Sequence, residues 1–132
     1  MPLKQILVEY ETFNFKVWVV IGPHRLLPAF VKRKQRRVYK AKQAVDCAGL
    51  YFHERDCHRG GIIWLRDSPS TPKAIGYLAH ELGHAVMDMH ARRSINMDNM
   101  NDETFCYAVA HGLTKVLEEC RWPSKTVPPT TR

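Results

Sequence analysis

Between residues 13 and 21 apolar and other side chains alternate. Phe13, Phe15, Val17, Val19 and Ile21 fall on one side, with Asn14, Lys16, Trp18 and Val20 between them. A period of two predicts a strand, and Gly22-Pro23 ends it. From His24 to Val45 the period changes. Leu27, Phe30, Val31, Val38, Ala41 and Val45 recur at helical spacing with basic residues between them, which predicts one amphipathic helix with a cationic outer face. Residues 50–53 and 62–65 read as two short strands joined around Arg59-Gly60-Gly61, a hairpin.

The next segment, 67–72, is a Ser/Pro-rich loop in which Thr71 can cap a helix and Pro72 can take its first position, where a missing N–H costs nothing. The helix that follows is expected over 73–90, with Leu78, Leu82, Ala85 and Met89 spaced 4, 3 and 4 as one core-facing stripe. A polar turn at 96–101 leads to a last helix over 102–121. It turns Phe105, Val109, Leu113, Val116 and Cys120 inward, and Pro123 stops it. These elements predict an α+β domain over residues 1–122, a small mixed or antiparallel sheet packed on about three helices, with a flexible tail at 123–132.

Composition narrows the class. The 132 residues suit one domain, and 45% hydrophobic with 25% charged residues excludes a disordered chain. The early apolar run, 17–21, is too short to span a bilayer. The first ten residues do not read as a signal peptide, so a cytoplasmic location is expected. Cys47, Cys57, Cys106 and Cys120 form no CxxC pair and are read as reduced thiols. Net charge is +7, and seven of the eleven residues from 32 to 42 are basic: Lys32, Arg33, Lys34, Arg36, Arg37, Lys40 and Lys42. Such a field favours acidic partners or nucleic-acid phosphates, although a solvated helix face has the same composition.

The candidate chemistry is His80-Glu81-Leu82-Gly83-His84, an HExxH sequence inside the capped helix. On a helix the two histidines lie about 40° apart, one turn up the same face and away from the core stripe. Both imidazoles can then reach one metal ion at ~2.0–2.1 Å. Glu81 sits one position round, where it can act on a water without being a ligand. Chance would produce the string on the order of once per hundred chains of this composition.

A catalytic zinc needs a third protein ligand and an open position. Glu103, with 18 residues between it and His84, is the first candidate, because two antiparallel helices would bring it back beside the pair. His90 is the second, at the metzincin offset; Met87 stands where metzincins carry Gly, and a continuous helix would turn His90 about 240° from His84. Asp102 and His111 are further options.

The pair with its downstream Glu103 resembles the gluzincin arrangement of thermolysin-like and aminopeptidase-type zinc peptidases. Residues 76–85, followed by Asp102-Glu103-Thr104-Phe105-Cys106-Tyr107, look more like the minimal zincins of phages and prophages. The resemblance covers about residues 60–120. It implies a zincin-like minimal metallopeptidase fold, with 62–65 as the edge strand that holds an extended substrate. It also implies a zinc-dependent peptidase with His80, His84 and Glu103 on the metal and Glu81 as general base. The chain lacks the long downstream domain in which large gluzincins keep a transition-state Tyr or His. Tyr107 or His111 is then the candidate to stabilise the oxyanion; a core-edge aromatic and a satisfied helix histidine are the plain alternatives. Asp88, one turn after His84, could orient a ligand histidine or stand as an exposed acid. His53, Glu54, Asp56, Cys57 and His58 read as a polar hairpin rim bordering the substrate groove, with a second metal site as the alternative. Two other functions compete: a nucleic-acid-associated protein using the basic segment, with a structural or vestigial zinc, and a phage-type factor that binds a host protein without catalysis.

Overall fold

The structure, a computed structural model, describes residues 2–35, 39, 47–53, 60–93 and 102–121. Four strands, β1 (Lys4–Tyr10), β2 (Phe15–Ile21), β3 (Gly49–His53) and β4 (Gly60–Leu65), form one mixed sheet in the order β1-β2-β4-β3. β1 and β2 pair antiparallel, as do β3 and β4, while β2 and β4 run parallel. Three helices complete the fold: α1 (Leu27–Gln35), α2 (Pro72–Arg92) and α3 (Asp102–Arg121). The α+β class and the three helices agree with the sequence pattern.

The sheet is covered on both faces. Val17, Val19, Ile21, Ile63 and Leu65 pack with Leu78, Leu82, Ala85 and Met89 of α2 and Val116 of α3. Val20, Ile62 and Trp64 pack on the other face with Leu27, Phe30 and Val31 of α1. Burial on both sides explains why apolar residues fill the intervening positions of β2 and why every residue of β4 is buried. Phe105, Val109, Leu113 and Cys120 of α3 pack against the first cluster, as their spacing requires.

Four expectations are corrected. The strand expected from Phe13 begins at Phe15, because Glu11–Phe13 form a 3-10 turn and Asn14 adopts a left-handed φ of 51°. The sequence reading also missed β1, whose Ile6, Val8 and Tyr10 alternate inward. The helix expected over 24–45 starts as a 3-10 turn, His24–Leu26, and its described α-helical part ends at Gln35. Tyr39 lies outside any helix, its hydroxyl 2.8 Å from His24 Nε2 and its ring against Phe52. Lastly, residues 62–65 are not an edge strand. β4 lies between β2 and β3, and β3 closes that side of the described sheet.

Glycines permit the strand packing. A Cβ on Gly60 would lie 1.8 Å from the Lys16 carbonyl oxygen, and one on Gly61 would lie 2.6 Å from the Tyr51 hydroxyl. The polar turn at 96–101, the hairpin tip and the tail fall outside the described residues, as do Arg36, Arg37, Lys40 and Lys42. No described helix is long and apolar enough to cross a membrane.

Candidate metal centre

α2 is capped as its sequence requires. Thr71 stands in extended conformation, its side chain accepts from the Ala74 N–H at 3.2 Å, and Pro72 occupies the first turn. The helix runs without a break to Arg92, so the registers of its two faces persist along its length. Leu78, Leu82, Ala85 and Met89 go into the core. His80 and His84 come out on the opposite side, both exposed.

Their two Nε2 atoms are 3.1 Å apart, with ring centroids at 4.7 Å and planes crossed at 87°. Two nitrogens bound tetrahedrally to one ion at ~2.0–2.1 Å stand roughly 3.3 Å apart. The pair is therefore set close to a metal bite, although a single N–H···N hydrogen bond also satisfies the distance. Glu81 behaves differently from its neighbours. It is 8% exposed, because α2 packs beneath β3 at this point. A Cβ on Gly49 would lie 3.2 Å from Glu81 Cγ and 3.2 Å from Leu65 Cδ2, so the carboxylate stem packs closely under the strand at this glycine. Burial pushes the Glu81 carboxyl above the ordinary carboxylate value, and the nearby His80 and His84 partly oppose this.

The structure does not bring Glu103 to the histidine pair. The antiparallel helices set Phe105 against His90, ring centroids 5.9 Å apart, and Gly112 against Leu82. That register puts the exposed Glu103 opposite the end of α2, about two turns beyond His84 and roughly 11 Å along the axis. The cause is the length of α2, which continues two turns past His84 before the chain returns. Among the described residues, no group of three or more His, Cys, Asp or Glu is placed to hold a metal ion.

The other candidates have different positions. His90 is buried, its Nδ1 3.0 Å from the Val86 carbonyl and its ring between Phe13 and Phe105. His111 points to β1, its Nε2 3.0 Å from the Glu9 carbonyl and its ring edge-on to Tyr10. It lines a cleft of about 450 Å³ between β1 and α3, with Glu9, Glu11 and Lys115, at the far edge of the sheet from β3. Tyr107 is 70% exposed on α3. The side chain of Asp102 and residues 54, 56, 57 and 58 lie outside the described residues.

Asp88 does not turn to His84. Its Oδ2 accepts from the Tyr51 hydroxyl at 2.5 Å and its Oδ1 accepts from Arg92 Nε at 2.8 Å. Arg92 in turn donates to His53 Nδ1 at 3.0 Å. Two alternate residues of β3 are thus tied to two residues of α2 one turn apart. The sequence reading overlooked Tyr51 and Gly49, although Tyr51 and His53 carry the i,i+2 signal of one strand face.

Comparison of the chain with protein-family models, with curated proteins and with solved structures gave no match.

Proposed function

We propose that the protein is a zinc-dependent metallopeptidase, with His80 and His84 as imidazole ligands and Glu81 as general base. What carries the reading is one juxtaposition: two Nε2 atoms converging at 3.1 Å beside a carboxylate held under a strand. When bound, zinc would supply a Lewis acid for a peptide carbonyl and an acidified water near neutral pH. Glu81 takes the proton of the attacking water and passes it to the leaving amine. Burial beneath β3 packs the carboxylate stem against Gly49 and leaves Glu81 8% exposed.

Glu103 is the proposed third ligand. Its support is the spacing in the sequence and its place on the helix that packs against α2; ligation requires the first turn of α3 to approach His84. Tyr107, exposed on the same helix, is the remaining candidate for oxyanion stabilisation, whereas the bond of His111 to Glu9 commits that ring to β1. The test is a zinc assay on purified protein together with peptide cleavage. One zinc per chain and cleavage lost in Glu81→Gln with zinc retained support the reading. Full cleavage by Glu81→Gln contradicts it.

A second reading rests on α1. Lys32, Arg33 and Lys34 are exposed there, with Lys34 Nζ 4.3 Å above the Trp18 ring and Arg33 5.1 Å from the Phe30 ring. This face lies across the sheet from the histidine pair, so a nucleic-acid contact and a peptidase site can coexist. Duplex DNA affinity that falls steeply with salt supports this contact; a flat salt slope counts against it.

A further inference from the structure

A second cleft, of about 290 Å³, opens between the end of β4 and the first turns of α2. Ala48, Leu65 and Tyr77 form its apolar part, and Arg66 and Lys73 bring cations to it. Its connection to the candidate site is direct. Leu65 Cδ2 and Glu81 Cγ both stand 3.2 Å from the position a Gly49 Cβ would take, so the cleft wall and the carboxylate stem meet at that glycine. Tyr77 lies one helical turn before Glu81 and is 37% exposed. One turn rises roughly 5.4 Å and an extended peptide advances roughly 3.3 Å per residue, so the cleft falls within two residues of a bond cut at Glu81.

The charge in the cleft has one sign in excess. Asp67 accepts from Arg66 Nε at 3.0 Å, which offsets one cation, and Lys73 lines the same cleft as a second cation. A small space with an apolar wall and surplus donors complements a short side chain that ends in a carboxylate. Resting on the peptidase reading, we infer that this cleft is a specificity subsite for an acidic residue, Asp or Glu, within two positions of the scissile bond. Arg66 and Lys73 select it and Tyr77 packs against its methylene stem.

The experiment uses the full zinc-loaded chain and fluorescent hexapeptides in which a single Glu is moved along an Ala/Ser sequence, each with a Gln twin. Binding is measured on Glu81→Gln protein and cleavage on the wild type. The expected result is at least tenfold tighter binding of the Glu peptide than of its Gln twin at one position. That preference is lost in Arg66→Gln/Lys73→Gln and turned toward Lys peptides in Arg66→Glu/Lys73→Glu. Equal binding of the twins at every position, or a preference unchanged in both double variants, overturns the inference even if the wild type cleaves peptides. Selective binding without any cleavage upholds the subsite and defeats the peptidase reading instead. Both cations are surface residues of the cleft, and the neutral double variant guards against an effect of charge reversal on folding.

Discussion

The Tyr51 hydroxyl reaches over Gly61 and donates to Asp88 Oδ2 at 2.5 Å, joining the strand at the edge of the described sheet to the helix one turn past His84. A hydrogen bond from a phenol to a half-buried carboxylate contributes about 1.5–3 kcal/mol. Tyr51→Phe should therefore lower unfolding free energy in urea by about that amount, since among the described residues Asp88 then keeps the Arg92 bond alone. An unchanged midpoint would show that the bond adds nothing to the hold of β3 on α2.

Gly60 allows β4 to lie beside β2. A methyl group there would overlap the Lys16 carbonyl oxygen at 1.8 Å, and that atom belongs to the backbone, so no rotamer relieves the clash. Gly60→Ala should cost about 3 kcal/mol or more, or prevent folding, by opening the parallel pair at its first residue. Thermal unfolding followed by circular dichroism checks this. A stable Gly60→Ala protein would contradict the β2–β4 register.

Glu81 gives the metal-free chain a signed pH dependence. Its carboxyl is raised by burial, so the folded chain holds a proton that the unfolded chain has released between the ordinary carboxylate value and the raised one. The contribution to stability is fully present below the ordinary value and is lost as pH rises through the raised value. Glu81→Gln removes the buried charge. In the presence of a chelator it should melt higher than the wild type at pH 7, and the two curves should converge as pH falls toward 4. Equal melting temperatures at pH 7 would mean that the Glu81 carboxyl is not buried.

Glu103 is the residue on which spacing and register disagree. If zinc draws the first turn of α3 toward His84, Glu103→Ala should weaken zinc binding at least tenfold, and His84→Ala should weaken it further. Isothermal titration distinguishes the cases. Zinc affinity unaltered in Glu103→Ala would remove that residue from the metal shell.

Much of the fold could be read from periodicity. The Thr71 cap, the stripe Leu78–Leu82–Ala85–Met89 and the inward residues of α3 are set by local spacing, and the structure follows them. The projection of His80 and His84 away from the core is legible for the same reason. Order across the sheet was not. Which of residues 50–53 and 62–65 closes the sheet depends on β2 choosing β4 as its parallel neighbour, a long-range pairing decided by apolar residues on both faces of β4. The level of Glu103 was hidden similarly, because the return of α3 is measured from the end of α2 at Arg92 and not from His84. Glu81 packs under Gly49, a residue 32 positions away that carries no chemistry of its own.

X-ray absorption at the zinc edge of the metal-loaded chain tests the central claim most directly. The predicted spectrum shows two imidazole nitrogens among light-atom neighbours at ~2.0–2.1 Å, and this imidazole pattern disappears in a His80→Ala/His84→Ala variant. Sulfur scattering at ~2.3 Å, or an imidazole pattern that survives loss of both histidines, would place the metal elsewhere in the chain and contradict the assignment.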